Sequence, residues 1–534
     1  MPAQARVDRG SPLATYAEAR MAVARGAYDE AGARFGAALA AAPGNQQIAA
    51  QAMGHGVRSG NWRLALDGAR ALERQNALLA DARFLLVAEA FRTRDWRAAR
   101  AQIDAIERDQ SLAFTVPVLR AWLAFGAREG DPLAALASAG TSGGPAAGYA
   151  AEHRALLLLA LGRPEGQAEM LVAARSSGPR AVRLRIGAAS FLASRRQREA
   201  ALLMLDVDTP AARAARALIN ANRPVPGALG TAEAGVAELM VRLALDLGGQ
   251  DMGPLGTLFA RLATRLDPQS AEAWLVTAEL LAQQDQHRLA VQLLDNIPAN
   301  DPFFLAARET RIRLLVAGGE RETALRIARE AAEAGGARQG DWLRLGQIYG
   351  ELNRQREAAD AFGRALALRE GDAGQEEWQL QLMRGGALDQ AGDWPGARAA
   401  LRRAYELAPQ QPYVLNYLGY ALLIRNEEMA EAERLIREAH RLAPDNAAIT
   451  DSLGWALYHK GQLAEAIPLL EQAAQAEPAD VEINEHLGDA YYAAGRRMEA
   501  RFAWRAAAVY AEGAVATRIA AKMERGLTPE LAAR

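Results

Sequence analysis

The sequence predicts an all-α protein, a right-handed solenoid of about fourteen antiparallel helix pairs. The stretch at 342–349 has the pattern W-x2-L-G-x2-Y and is followed by Ala358 and Phe362, so small and large residues lie where two packed helices need them. The same skeleton returns about every 34 residues along most of the chain. A third observation is that glycine or asparagine recurs between the two helices of each predicted pair.

The small residues of the C-terminal half define the two helices of each pair. Spacings of three and four residues place side chains on one helical face. Small residues let two antiparallel helices approach closely, and large apolar residues fill the groove between them. The register consists of Gly346, Gly385, Gly419, Gly454 and Gly488 in the first helices, then Ala358, Ala397, Ala432, Ala466 and Ala500 in the second, each followed by Phe362, Leu401, Ile436, Leu470 or Trp504 and by Ala365, Ala404, Ala439, Ala473 or Ala507.

Proline, glycine and asparagine mark the ends of the predicted helices. Pro409, Pro444 and Pro478 follow the second helix of three consecutive pairs, because proline cannot continue a helix. The turn inside each pair needs a left-handed residue, which glycine and asparagine tolerate best. That position holds Gly26, Gly60, Gly319, Gly392, Gly461 and Gly495, with Asn353 and Asn426 in two further pairs.

The pattern extends into the N-terminal half, where Ala31, Phe35 and Ala38 match a second helix and Pro43 its stop. From about residue 105 to 250 the repeats become degenerate. We expect loops near 138–148, 223–230 and 248–256, the last as a boundary between two arrays. The predicted organisation is a disordered N-terminus (1–12), an N-terminal array (13–247), a boundary loop (248–256), a C-terminal array (257–510) and a C-terminal capping helix (511–534).

Charge and composition limit the classes of partner that fit this sequence. The 62 Lys and Arg residues nearly balance the 64 Asp and Glu residues, giving a formal net charge of −2. No overall positive field therefore favours nucleic acid as a partner. Lysine occurs only at Lys460 and Lys522, and arginine supplies the remaining positive charge.

Cysteine is absent from the sequence, which excludes disulfides, thiol catalysis and thiolate metal sites and leaves the compartment open. The longest apolar run, 155–161, is far too short for a transmembrane segment. The N-terminus has no charged-then-apolar segment, so we expect no signal peptide in the sequence as given, although residues 2–5 look like the small-residue end of a cleaved one. We expect a periplasmic or envelope-associated protein if an export signal was trimmed, and a cytoplasmic one otherwise.

The motifs of catalysis and of metal binding are weak. No two of the six histidines are spaced to share one turn of a helix face, so we predict neither a metal site nor a cofactor. Residues 140–144 match G-x-S-x-G, but a nucleophile elbow needs a strand before the serine, and helices are predicted on both sides. The sequence therefore predicts a protein that is not an enzyme.

The first helix of each pair is expected to line a concave surface. Three C-terminal pairs place aromatic rings, an amide and carboxylates at the inward positions, with Ser452 and His486 beside them. Rigid aromatic faces and aligned polar groups suit an extended peptide, and the acids favour a basic or amide-rich segment. The alternative is that the rings pack against the neighbouring repeat and the acids are solvated. The predicted partner-binding residues are Tyr413, Asn416, Tyr420, Asp451, Trp455, Tyr458, Glu482, Glu485, Asp489 and Tyr492.

A second candidate surface is basic. Seven arginines occur between 175 and 198 with no acid among them before Glu199. They indicate either an anionic partner or a solvated helix face. The set is Arg175, Arg180, Arg183, Arg185, Arg195, Arg196 and Arg198.

The repeat spacing resembles that of tetratricopeptide repeats over about 13–510. The segments 416–420, 451–458 and 484–489 (NYLGY, DSLGWALY and NEHLGD) make 376–510 similar to bacterial, envelope-associated proteins of this family. The resemblance implies adaptor work, in which peptides or proteins are bound during assembly of larger complexes. The basic clamp with which some members hold a C-terminal carboxylate is absent, since the matching positions are Asn416, Asp451 and Glu485.

We therefore expect a non-enzymatic scaffold that binds a protein or peptide on the concave face of residues 413–492, as in the assembly of a bacterial envelope complex. The alternative is a structural role in which the solenoid's own faces pair to build an oligomer. The oligomeric state itself is not predicted by the sequence.

Overall fold

The computed structural model describes residues 11–140, 145–175, 178–249, 252–368 and 374–533. Within these ranges the chain is helical and contains no strand, which confirms the all-α solenoid class. It divides into two compact units, Met1–Glu320 and Arg321–Arg534. Residues 141–144, outside the described residues, hold most of the G-x-S-x-G motif and the middle of the loop predicted at 138–148. The rest of that predicted loop, 138–140 and 145–148, is helical.

The first unit holds eighteen α-helices in its described part. They are α1 Pro12–Ala24, α2 Tyr28–Ala41, α3 Gln46–Ser59, α4 Trp62–Arg74, α5 Ala80–Thr93, α6 Trp96–Asp109, α7 Val116–Ala127, α8 Ala134–Gly140, α9 Pro145–Ala160, α10 Glu165–Ala173, α11 Pro179–Ser194, α12 Arg198–Met204, α13 Pro210–Asn220, α14 Ala232–Gly248, α15 Gly253–Leu266, α16 Ala271–Ala282, α17 His287–Leu293 and α18 Phe304–Ala317.

The hairpin of α14 and α15 turns back across the earlier helices of the first unit. α14 contacts α5, α7 and α9, and α15 contacts α3 and α5, all of them first helices of their pairs. Phe259 of α15 meets Phe84 of α5 with ring centroids 5.1 Å apart. Gly235 of α14 lies so close to the Trp122 indole of α7 that a Cβ would overlap the ring. The inner side of this array is therefore covered by its own chain.

The predicted boundary at 248–256 falls between the two helices of this hairpin and on the start of the second. The two helices that flank it pack tightly against each other inside the first unit, and the division between compact units comes later, after Glu320. Residues between 105 and 250 must fit both the stack of pairs and the returning hairpin, which explains why their repeat pattern is degenerate.

The second unit holds twelve α-helices in its described part. They are α19 Arg321–Glu333, α20 Gln339–Glu351, α21 Gln355–Ala367, α22 Gly374–Gln390, α23 Trp394–Leu407, α24 Pro412–Leu423, α25 Met429–Leu442, α26 Ala447–His459, α27 Leu463–Ala476, α28 Val481–Ala493, α29 Arg497–Tyr510 and α30 Gly513–Arg525.

The helices of the second unit lie in two layers. The pairs α20–α21, α22–α23, α24–α25, α26–α27 and α28–α29 each pack closely. The first helices also contact one another along the array, α24 with α26 and α26 with α28, and so form a continuous layer. We call the surface of α24, α26 and α28 the inner wall.

The predicted turn chemistry is confirmed. All eight glycine and asparagine positions inside the pairs have positive φ, from 53° at Asn426 to 82° at Gly60. Helices α23, α25 and α27 end two residues before Pro409, Pro444 and Pro478. Side-chain caps begin the helices of the inner wall, since Asn446 accepts from the Ile449 amide of α26 and Asp480 from the Ile483 amide of α28, both at 3.0 Å.

Gly488 shows why the small residue of the repeat is needed. A Cβ at this position would overlap the buried Trp504 indole of the paired helix. We expect Gly488→Ala to lower the free energy of unfolding by about 1–3 kcal/mol, because the ring must shift in a close-packed site. Gly350→Ala is the matched control, since a Cβ there meets nothing within 4 Å. It should raise stability by about 0.5–1 kcal/mol, and urea unfolding of both variants measures the difference.

Candidate partner-binding groove

The structure places the ten predicted partner-binding residues on the first helices of three consecutive pairs, at very different depths. Tyr413 is 59% exposed, and the Glu482 side chain is also 59% exposed. The half-buried residues are Asn416, Tyr420, Tyr458 and Tyr492, and the buried ones are Asp451, Trp455, Glu485 and Asp489.

Trp455 is the centre of an aromatic stack in the inner wall. Its ring stacks on Tyr458, with centroids 4.4 Å apart and planes 4° apart. It also stacks on His486 of the next first helix, at 3.9 Å and 11°. The indole is fully buried. Trp455 therefore joins two repeats, which is the packing role that the sequence left open as an alternative.

Polar side chains link the same helices. The Asp451 carboxylate lies 2.9 Å from His486 Nδ1, and the Tyr420 hydroxyl donates to Glu482. Burial alone would lower the pKa of His486, but the Asp451 carboxylate raises it above its ordinary value. Burial and Glu482 together raise the pKa of the Tyr420 hydroxyl, which stays a hydrogen-bond donor at neutral pH. The inner wall is thus tied across three repeats.

At the C-terminal end of the wall, the acids are paired by α30. Lys522 Nζ is fully buried and lies 2.6 Å from Glu485 Oε1 and 2.7 Å from Asp489 Oδ2. Arg518 holds both oxygens of Glu485, at 2.8 and 2.7 Å. Asp489 also accepts from the Trp504 indole at 2.9 Å.

The pKa values of the two carboxylates that share Lys522 shift in opposite directions. Burial alone would raise the pKa of Glu485, but hydrogen bonds from Arg518 and Lys522 lower it. Burial raises the pKa of Asp489 despite its bond to Lys522. The end of the wall therefore holds a cationic helix through two carboxylates whose pKa values shift in opposite directions.

Part of the wall stays open at Tyr413, Asn416, Tyr420 and Glu482, which are exposed or half-buried. Tyr413 has neither a hydrogen bond nor a ring contact among the described residues, and it projects beside the half-buried Asn416. Three buried polar atoms of the wall have no hydrogen-bond partner within the described chain: Asn416 Oδ1, Trp455 Nε1 and His486 Nε2. Unpaired buried polar atoms are costly. Asn416 Oδ1 belongs to the same helix as the exposed Tyr413 ring, whereas Trp455 Nε1 and His486 Nε2 lie within the buried aromatic stack.

Sequence reasoning missed the cationic partners of Glu485 and Asp489. Lys522 was visible as one of only two lysines, in a helix expected to cap the array. Its partners lie 37 and 33 residues earlier in the chain, so no local spacing indicates the pairs. Within the described chain, no three histidine, aspartate or glutamate side chains are grouped to hold a metal ion.

Models of one family match most of the second unit. The tetratricopeptide repeat models align with residues 343–412, 382–447 and 457–508. The chain therefore contains tetratricopeptide repeats (TPRs). No curated protein matches the sequence significantly.

Solved structures of TPR proteins show low identity to this TPR chain. MamA AMB-1 is 22% identical, with 31% of this chain and 95% of that chain covered and a TM-score of 0.26. Another MamA protein is 19% identical, with coverage of 36% and 96% and a TM-score of 0.26. The APC/C hetero-tetramer Cut9-Hcn1 is 14% identical, with coverage of 91% and 97% and a TM-score of 0.38. Among the described helices, none combines the length and apolarity that crossing a bilayer requires.

Proposed function

We propose that this TPR protein is a non-enzymatic scaffold that binds a protein partner on the open part of the inner wall, at Tyr413, Asn416, Tyr420 and Glu482. The observation that carries the proposal is that Tyr420 of α24 donates to Glu482 of α28, so aromatic, amide and carboxylate groups of two repeats meet on one surface. TPR proteins in general act through such surfaces and not through catalysis, which supports the coarser statement of a protein-interaction scaffold.

The charge of the wall favours a basic or amide-rich partner segment. The wall already holds a cationic helix of its own chain through Glu485 and Asp489. Glu482 lies on the same helix with its carboxylate exposed. Opposite charge at an open rim steers association and selects against acidic segments. The buried residues Asp451 and Trp455 have a supporting role in this proposal, because they hold α26 against α28.

The resemblance of 376–510 to envelope-associated TPR proteins supports a finer proposal, that the scaffold serves assembly of a bacterial envelope complex. Fractionation of cells that express the tagged chain at its native level tests this part separately. Recovery with envelope material supports the proposal, and recovery with cytoplasmic proteins alone contradicts it.

Quantitative affinity capture tests the binding surface. We expect Tyr413→Ala combined with Glu482→Gln to reduce capture of the partner at least about tenfold, because exposed aromatic and charged residues at a groove contribute most of the binding energy. The matched control is Tyr510→Ala with Glu512→Gln, which changes the same residue types at exposed positions away from the wall. Equal capture by both double variants would contradict the proposed surface.

Self-assembly has one observation in its favour. Met498, Phe502 and Val509 are 59–69% exposed and lie on one face of α29, the second helix of the last pair. Such a face favours association with a second copy. Light scattering over a range of concentrations separates the two functions, since a monomer at every concentration contradicts self-assembly and leaves the scaffold proposal intact.

A further inference from the structure

An arginine-lined pocket lies in the first unit, far along the chain from the inner wall. It is about 920 Å³ in volume and forms between the α9–α10 turn and the α11–α12 turn. Four arginines and one acid, Glu199, line it. The arginines are Arg163, Arg195, Arg196 and Arg198.

None of these four guanidinium groups forms an ion pair among the described residues. Arg163, Arg195 and Arg196 are exposed. Arg198 donates only to neutral amide oxygens, those of Asn220 at 2.9 Å and Asn222 at 3.3 Å. Four positive charges therefore surround one pocket with a single acid among them.

Two other arginines of the basic segment, Arg180 and Arg183, are paired with acids inside the unit. The predicted basic surface therefore does not include all seven arginines. Arg180 donates to Glu272 at 2.8 Å and also binds Glu152 and Glu238. Arg183 is 2% exposed and lies 3.0 Å from Glu238. Both hold α11 against α14, so their charges are neutralised inside the unit, whereas Arg195, Arg196 and Arg198 form no ion pair among the described residues.

The floor of the pocket is apolar. Leu159, Phe191 and Leu192 are buried and line it below the arginines. The Arg195 guanidinium lies over the Phe191 ring, 5.2 Å from its centroid, which restricts the orientation of the cation. A guanidinium that is already oriented loses less freedom when it takes a carboxylate in a bidentate pair.

We propose that this pocket binds an acidic segment of a protein partner, with carboxylates on the arginines and an apolar side chain on the floor formed by Leu159, Phe191 and Leu192. The apolar floor is what favours such a segment over a single phosphate group, which has nothing to place there. The volume also falls at the upper end of the range of about 300–1,000 Å³ for ligand pockets, more than a lone anion fills. This site is separate from the inner wall and prefers the opposite charge.

Fluorescence anisotropy with two synthetic peptides tests the proposal on the full chain. The probe is a short labelled peptide in which glutamate pairs alternate with leucine, and its control replaces every glutamate with glutamine. We expect the acidic peptide to bind at low salt, the glutamine peptide to bind at least about tenfold more weakly, and added salt to weaken the acidic peptide.

A matched pair of triple variants locates the site. Arg163→Gln, Arg195→Gln and Arg196→Gln together should raise the Kd of the acidic peptide at least about tenfold. Arg63→Gln, Arg70→Gln and Arg97→Gln remove the same charge from exposed positions of the same unit that form no ion pair among the described residues, and should leave the Kd within about twofold. Equal effects of the two triples, no binding of the acidic peptide to the unmodified chain, or preferential binding to inorganic phosphate or phosphatidylserine vesicles would each overturn the proposal.

Discussion

Lys522→Met is expected to lower the free energy of local opening around α28–α30 by about 3–5 kcal/mol. The substitution keeps most of the side-chain volume but leaves Glu485 and Asp489 without their shared cation in a buried site. Arg518 still pairs with Glu485, so Asp489 is the carboxylate that is left without a cation. Amide hydrogen exchange of residues 481–525 reports this free energy locally.

The other lysine of the chain is the control for that experiment. Lys460 pairs with Glu433 at 2.8 Å and keeps 45% of its side chain exposed. Solvent-exposed ion pairs contribute about 0–1 kcal/mol, so Lys460→Met should change exchange near α26 by no more than that. Similar effects of the two substitutions would contradict the buried pairing of Lys522.

Trp455→Ala is the second substitution with a large expected effect, a loss of about 3–5 kcal/mol of stability in the second unit. The indole is fully buried and stacks on Tyr458 and His486, so its removal leaves a cavity between two repeats. Trp455→Phe should recover part of the loss, because a smaller ring can still stack.

Tyr413→Ala is the control for the removal of an aromatic side chain from the wall. Tyr413 is 59% exposed, and its loss should change stability by no more than about 0.5 kcal/mol. Circular dichroism in urea measures both variants. A Trp455→Ala protein as stable as the Tyr413→Ala protein would show that the indole is a surface group, available to a partner.

The repeat architecture could be predicted because it depends on local chemistry. A left-handed turn residue such as Gly461 (φ 74°) acts within its own turn. The small residue at Gly488 acts on Trp504, only sixteen positions later, through the pairing of consecutive helices. Such contacts recur along the array, so the residue pattern that indicates them appears many times in the sequence.

The depth of each groove residue could not be predicted in the same way. An inward position on a first helix is exposed only if the next first helix places nothing against it. Trp455 is covered because His486 of the following repeat stacks on it, whereas Tyr413 has no such neighbour among the described residues. Both are aromatic residues at predicted inward positions of first helices, and their tertiary contacts distinguish them.

The first unit shows a second limit of reasoning from repeats. Residues 232–266 form a hairpin that lies against α3, α5, α7 and α9. The contacts between Phe259 and Phe84 and between Gly235 and Trp122 join parts of the chain that are more than 100 residues apart. A periodic pattern predicts that neighbouring helix pairs stack. It does not indicate that a later hairpin packs against helices much earlier in the chain. The inner face of that array is used for folding, while the wall of the second unit keeps an open part.

Site-specific photo-crosslinking tests whether a protein partner lies on the proposed surface of the inner wall. A photoreactive phenylalanine derivative is placed at Tyr413 in one protein and at Tyr510 in another, two tyrosines that are each 59% exposed in the second unit. We expect a distinct adduct with another protein from position 413, and we expect Glu482→Gln to reduce its yield. No such adduct should form from position 510. The same adducts from both positions, or adducts from 413 that contain only a second copy of this chain, would contradict the proposal.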